Sequence, residues 1–268
     1  MDLSLSINHY ICGDEISFPE FAVAVRNAGV GSVGVTRQAL REMGVDALSR
    51  CLRDNGLSVS SLNSTGFFTG VRPRAADFSD AEMIDAAAAL GAGVLCVISG
   101  GAGDPPMPLA EAQSLVKAGF AELAAEAKAK GVILGLEPIH PADILTKGCI
   151  NSIAHGLEII DPHPDAKLIL DVNHSWWDPD FPRLLREAPE KVAVVQVSNL
   201  RIENGQPAGR DNLASGTLDM PRFIGGLLSG NYRGPFEFEL FPSDVGERDV
   251  RSLIAAFPRE FADCATNG

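Results

Sequence analysis

Short runs of apolar, often β-branched residues recur along the chain at 3–8, 32–35, 58–63, 94–99, 133–137, 168–172, 192–198 and 236–240. Several, such as Leu168-Ile169-Leu170 and Val192-Ala193-Val194-Val195, are almost continuously apolar. That is how parallel strands covered on both faces read, whereas a half-exposed sheet alternates. Amphipathic or alanine-rich segments of helical length separate the runs, among them 80–90 and 109–130. The second closes at Gly131, a natural helix stop, directly before the next run. Strand followed by helix, repeated eight times, predicts parallel βαβ units closing into a (β/α)8 TIM barrel.

The competing architecture is an open doubly wound sheet, which often carries a glycine-rich phosphate turn after its first strand. Here Asn8-His9-Tyr10 stands at that place. The glycine-rich stretch at 99–104 follows the fourth run and lacks the Gly-Lys-Ser/Thr ending of a phosphate loop, so it reads as a plain βα turn. Residues 200–216 read as a polar loop long enough to serve a site.

Composition narrows the function. The length of 268 residues suits one barrel domain spanning 1–268. A formal net charge of −13 makes nucleic acid and acidic membranes poor partners. The five cysteines form no C-x-x-C pair, which points to free thiols in a reducing compartment. Neither a secretory signal nor an apolar run of membrane-spanning length is visible. The expected location is the cytoplasm.

A barrel places its reactive groups at the C-terminal ends of its strands. There the sequence offers Glu137, Asp171, Gln196 and Glu239, each after apolar neighbours. A buried carboxylate is costly unless paired, hydrogen-bonded or bound to a cation. Separate salt bridges would explain any one of them, but three converging carboxylates are more economically reconciled by a divalent ion. Oxygen-rich coordination suits Mn²⁺ or Mg²⁺ better than Zn²⁺ or Co²⁺. Glu237, two residues before Glu239 on the same side of its strand, is expected deeper in the barrel as a supporting or ion-pairing residue.

These residues carry a resemblance. Leu136-Glu137-Pro138 with His140-Pro141, Asp171-x-x-His174, Gln196-x-x-Asn199 and Gly234-Pro235 leading to Glu239-x-Phe241 resemble the xylose-isomerase-like family of sugar isomerases and epimerases. That family includes tagatose 3-epimerases, hydroxypyruvate isomerases, inosose isomerases and dehydratases, and 3-dehydroshikimate dehydratases. The resemblance spans the chain, is firmest over 131–241, and extends to Val59–Asn63 and Gly66-Phe67-Phe68. It implies one metal ion held by Glu137, Asp171, Gln196 and Glu239. Histidine is the third ligand in many members, but glutamine stands there in the hydroxypyruvate-isomerase and dehydroshikimate-dehydratase branches. Asn199 replaces the family's usual aspartate, which is a departure.

By the same resemblance, His174 contacts substrate oxygens and Arg210 binds a substrate hydroxyl, carboxylate or phosphate, with Arg201 as the alternative. His140 is a candidate acid, base or loop histidine. Trp176 and Phe67 are candidate pocket walls, with Trp177 and Phe68 packing on the barrel. His155, His163 and the cysteines are assigned no chemistry. The implied activity is isomerisation or epimerisation of a small sugar, ketose or polyol ketone through an enediolate, with Glu137 and Glu239 as the acid–base pair. Dehydration of an inosose or cyclic keto acid is the alternative on the same site. Endonuclease IV chemistry needs a histidine-rich three-metal cluster, and five histidines in an acidic chain do not favour it. A non-catalytic barrel is disfavoured by intact Glu137 and Glu239. The partner class is a small carbohydrate or polyol-derived molecule, with homo-oligomerisation left open.

Overall fold

The computed structural model describes residues 4–71 and 78–267. The barrel strands are β1 (Leu5–Asn8), β2 (Ser32–Thr36), β3 (Ser58–Gly66), β4 (Leu95–Ile98), β5 (Leu134–Leu136), β6 (Lys167–Asp171), β7 (Val192–Val197) and β10 (Phe236–Phe238). All pair in parallel and close in the order β1-β10-β7-β6-β5-β4-β3-β2. This is the (β/α)8 barrel that the repeated strand–helix pattern predicts. Each of the eight apolar runs contributes one strand; Leu3, the first residue of the earliest run, lies outside the described residues. The major outer helices are α1 (Phe18–Asn27), α2 (Arg37–Asp54), α3 (Asp80–Leu90), α4 (Leu109–Ala129), α5 (Ile153–Ile160), α7 (Asp180–Glu187), α8 (Met220–Leu228) and α10 (Val250–Asn267). Short α6 (Val172–Ser175) and α9 (Pro242–Val245) follow β6 and β10 directly. No described helix is long and apolar enough to cross a membrane.

The stretch at 200–216 corrects the sequence expectation. It is not simply a loop, since β8 (Asn199–Glu203) and β9 (Gln206–Asp211) form an antiparallel hairpin there. Its turn residues Asn204 and Gly205 have φ of 51° and 74°. Asn-Gly tolerates that left-handed pair better than any other dipeptide, which is why it closes tight hairpins. The polar composition and Pro207 hid the strand pattern.

Strand alternation sorts the side chains between two cores. Leu134, Leu136, Leu168, Leu170, Val195, Val197, Phe236 and Phe238 face outward into the large core beneath the helices. Val94, Cys96, Ile169 and Val194 form a separate apolar cluster. The polar residues at the strand ends follow this second set at a spacing of two, Asp171 after Ile169 and Gln196 after Val194, so both point into the barrel. Pairing also continues past the strand bounds, since Glu137 N–H donates to Val97 O and Glu239 N–H to Val197 O.

Phe238 links the outer core to α10, its ring stacked on Phe257 at 4.8 Å and 7°. Phe238→Ala is expected to cost about 3–5 kcal/mol. Urea unfolding measures it, and a loss below about 1 kcal/mol would contradict the packing.

Candidate active site

Four strand ends deliver the site. Asp171 ends β6 and caps α6, its Oδ1 accepting Asn173 N–H at 2.9 Å, which leaves Oδ2 for the barrel mouth. One turn on, His174 Nε2 stands 3.7 Å from Asp171 Oδ2 and 3.9 Å from Glu137 Oε1. Its Nδ1 accepts His140 N–H at 3.3 Å, so the β5 loop orients the ring. One ligand atom from each of Glu137, Asp171 and His174 lies within 4.8 Å of the others. Glu239 joins them through Arg210, whose Nη2 donates both to Asp171 Oδ2 and, at 3.2 Å, to Glu239 Oε2. Gln196 Nε2 donates to Glu239 Oε1 at 3.0 Å.

Every one of these groups is buried. Burial raises the Glu137 pKa first, and neighbouring Asp171 adds to the rise, bringing it to about 8. Glu239 is likewise raised by burial, which the Arg210 charge only partly offsets. Burial lowers His174 to about 4, so the imidazole is neutral near pH 7. Arg210 is pulled down by burial, but Asp171 and Glu239 more than compensate and keep it charged. Among the described residues, Arg210 is the cation paired with these buried carboxylates, through Asp171 and Glu239.

The hairpin delivers Arg210. Asp244 in α9 accepts the Arg210 backbone N–H on Oδ1 at 2.9 Å and Phe241 N–H on Oδ2 at 2.9 Å. Gly209 has φ of 115°, and a Cβ there would lie 2.4 Å from Asp244 Oδ1, so only glycine permits this tether. The Arg210 guanidinium then lies 4.7 Å from the Phe241 ring centre, which in turn packs on Tyr10 at 4.8 Å. Arg201, the alternative to Arg210, is directed to Ala208 O, Asp244 O and Glu203, along the hairpin itself.

The remaining candidates sit around this centre. His140 is partly exposed, accepts Ala142 N–H on its own Nδ1, and stands edge-on to Trp177 at 6.1 Å. Trp176 is 43% and Trp177 38% exposed, so the expected division, one tryptophan in the pocket and one packed on the barrel, is not what the fold shows. Both lie at the rim, with Trp177 held by its indole N–H donating to His174 O at 3.0 Å. Phe67 is half-buried just past β3, while Phe68 packs against α4 at Gly119, as expected of a core residue.

Two neighbours escaped the sequence reading. Tyr10 is half-buried, and desolvation of its phenol, with Glu239, Cys96 and Glu137 nearby, pushes its pKa up. Cys96 donates to Glu137 Oε2 at 3.4 Å. The strand-end rule would have found Tyr10, two residues beyond β1, and inward parity would have found Cys96, two beyond Val94.

Glutamine 196 carries the decisive clue about an ion. Among the described residues, its Oε1 is fully buried without a hydrogen-bond partner. An unsatisfied buried carbonyl costs free energy and calls for a cation or donor. Carboxylates, a neutral imidazole and an amide oxygen form a donor set that fits a divalent ion.

A family profile described as xylose isomerase-like TIM barrel matches residues 22–259. The chain belongs to that family. No curated protein sequence matches it. Among solved structures, protein SMc04130 from Sinorhizobium meliloti 1021 superposes with a TM-score of 0.86 at 25% identity, covering 97% of this chain and 98% of that one. An IOLI protein with a bound zinc atom gives 0.80 at 16% identity, with 98% of both chains covered. An L-ribulose 3-epimerase gives 0.73 at 19% identity, covering 98% of this chain and 95% of its own. The last two likenesses show the xylose isomerase-like fold, and the site argument stands on the residues above.

The shifted groups predict a pH signature. The folded state favours neutral Glu137, so its contribution to stability is full below about 4.5 and is lost as pH rises through about 8. His174 contributes above about 6.5 and loses that contribution as pH falls through about 4. Between pH 6.5 and 8 the glutamate governs. Chelator-treated protein is expected to lose Tm across that window, and saturating Mn²⁺ to abolish the loss. Parallel Tm curves with and without Mn²⁺ would contradict this electrostatic picture.

Proposed function

We propose that this protein is a divalent-metal-dependent isomerase or epimerase of a small ketose or polyol ketone. The observation that carries the reading is Gln196 Oε1, which among the described residues is buried without a hydrogen-bond partner, close to the buried carboxylates of Glu137, Asp171 and Glu239. Glu137, Asp171, Gln196 and Glu239 would hold the ion, with His174 close enough to Glu137 and Asp171 to ligate or to contact substrate. Bound there, a divalent ion supplies Lewis acidity toward a carbonyl and its neighbouring hydroxyl.

The chain's own residues supply the rest. Glu137 and Glu239 directly follow β5 and β10, which stand three strands apart around the barrel, and are the acid–base pair. One carboxylate takes the proton from the carbon beside the carbonyl, and the other returns it. Return to the opposite face gives epimerisation, and return to the adjacent carbon gives isomerisation. Arg210 presents a planar fork to substrate oxygens, steadied by Phe241 and Asp244. Tyr10 and Phe241 form an aromatic wall beside it. Trp176 and Trp177 at the rim offer flat apolar faces to a substrate entering the mouth. A dehydratase reading uses the same site, expelling a β-hydroxyl instead of returning the proton, and Gln196 in place of histidine is compatible with either reaction. The reaction would take place in the cytoplasm on a small carbohydrate-derived molecule.

Two experiments test this. Glu137→Gln and Asp171→Asn should each weaken Mn²⁺ binding strongly in calorimetry, and unchanged affinity in both would remove the site. In D₂O, metal-loaded enzyme should exchange the hydrogen beside the carbonyl of its true ketose or inosose substrate. Glu239→Gln, which keeps an oxygen but loses the base, should slow that exchange by ~10²–10⁴-fold. Parental exchange in fully metallated Glu239→Gln would strike Glu239 from the acid–base pair.

A further inference from the structure

Gln196 and Glu237 are direct partners across β7 and β10. A side-chain amide has two orientations that exchange its oxygen and nitrogen, and only the oxygen can ligate a cation. What surrounds Gln196 decides between them. The chain of constraint starts at Asn8, whose Oδ1 accepts Tyr10 N–H at 3.0 Å. That bond turns Asn8 Nδ2 toward Glu237 Oε1, 2.8 Å away. Asn63 Nδ2 donates to Ser61 Oγ at 2.8 Å, which leaves the Ser61 hydroxyl hydrogen for Glu237. Ser60 Oγ donates to Glu237 Oε2 at 2.6 Å. The Glu237 carboxylate thus sits fully buried in a ring of uncharged donors, and Gly34 makes room for it, since a Cβ there would lie 2.8 Å from Oε2.

An acceptor so placed takes the nitrogen of its neighbouring amide. Gln196 Nε2 bonds Glu237 Oε1 at 3.1 Å and Glu239 Oε1 at 3.0 Å, which uses both of its hydrogens. Oε1 is left turned away from both carboxylates, buried and without a partner.

We propose that Glu237 is a positioning residue that selects the orientation of the Gln196 amide, so that its oxygen rather than its nitrogen is offered to the divalent ion. The inference rests on the reading of Gln196 as a cation ligand and gives Glu237 a role in the barrel beyond filling it. Replacing Glu237 by glutamine keeps the shape but adds a donor, which allows the Gln196 amide to turn over and bond through its oxygen.

The test is Mn²⁺ affinity of the full chain by calorimetry in a four-variant cycle: parent, Glu237→Gln, Gln196→Ala and the double variant. Glu237→Gln is expected to weaken Mn²⁺ binding about 10–100-fold, the usual effect of removing a group that orients a ligand. Gln196→Ala should weaken it to a similar degree. In the Gln196→Ala background, Glu237→Gln should change affinity by less than about twofold, because the two act through one interaction. Equal losses in both backgrounds would mean that Glu237 acts as a distant charge and would overturn the proposal, as would parental affinity in Glu237→Gln. If the parent binds Mn²⁺ and Gln196→Ala binds it equally well, the ligand reading itself falls, and this inference with it. Should Glu237→Gln fail to fold, glutamine-labelled parent protein decides by NMR. On adding Mg²⁺ the Gln196 carboxamide carbon should shift while its Nε2 hydrogens stay slow to exchange, and rapid exchange of those hydrogens would overturn the proposal.

Discussion

Charge neutrality in a dry space governs this molecule's working end. Glu137, Asp171 and Glu239 are carried inward by the strand alternation that also buries the apolar residues beneath them. Their mutual repulsion cannot be relieved by solvent, so it must be met by protonation or by positive charge. The raised Glu137 and Glu239 pKa values express the first route, and the Arg210 contacts with Asp171 and Glu239 express the second. A divalent ion is a third route, and it would also satisfy the Gln196 oxygen. The hairpin, its Gly209 hinge and the Asp244 tether all serve to bring one guanidinium into that balance.

Glu237 provides the contrast within the same barrel. It is as deeply buried as Asp171, yet the side chains bonding it are Asn8, Ser60, Ser61 and Gln196, all uncharged. Hydrogen bonding to a carboxylate is one of the ways its burial is tolerated. The sequence expectation of a supporting or ion-pairing residue is thus refined: those partners are hydroxyls and amides, and no charge is needed from them. Glu237 in β10 and Glu239 just past it end in different chemistry, because the first meets uncharged donors while the second shares Arg210 with Asp171 and feels the neighbouring carboxylates.

Periodicity made the barrel legible. Buried parallel strands write themselves as unbroken apolar runs, and the polar residue that ends each run marks the mouth, which is how Glu137, Asp171, Gln196 and Glu239 emerged. The hairpin was illegible as structure because Pro207 and Gly209 break its alternation, although Asn204-Gly205 carried a usable turn signal. The Glu237 ring was out of reach for another reason. Asn8 and Glu237 are 229 residues apart, and only closure of β10 against β1 joins them. The sequence favoured Arg210 but left Arg201 as an alternative, and the register of the hairpin turns the first into the barrel and the second along the hairpin.

The central claim is that the strand ends of this barrel are built around a divalent ion. Anomalous diffraction from crystals grown with Mn²⁺ tests it most directly. The account predicts one strong peak within ligand distance of Glu137, Asp171, Gln196 Oε1 and Glu239, with Arg210 displaced from Asp171. No peak at the mouth, with the Arg210 contacts to Asp171 and Glu239 intact at saturating Mn²⁺, would contradict it.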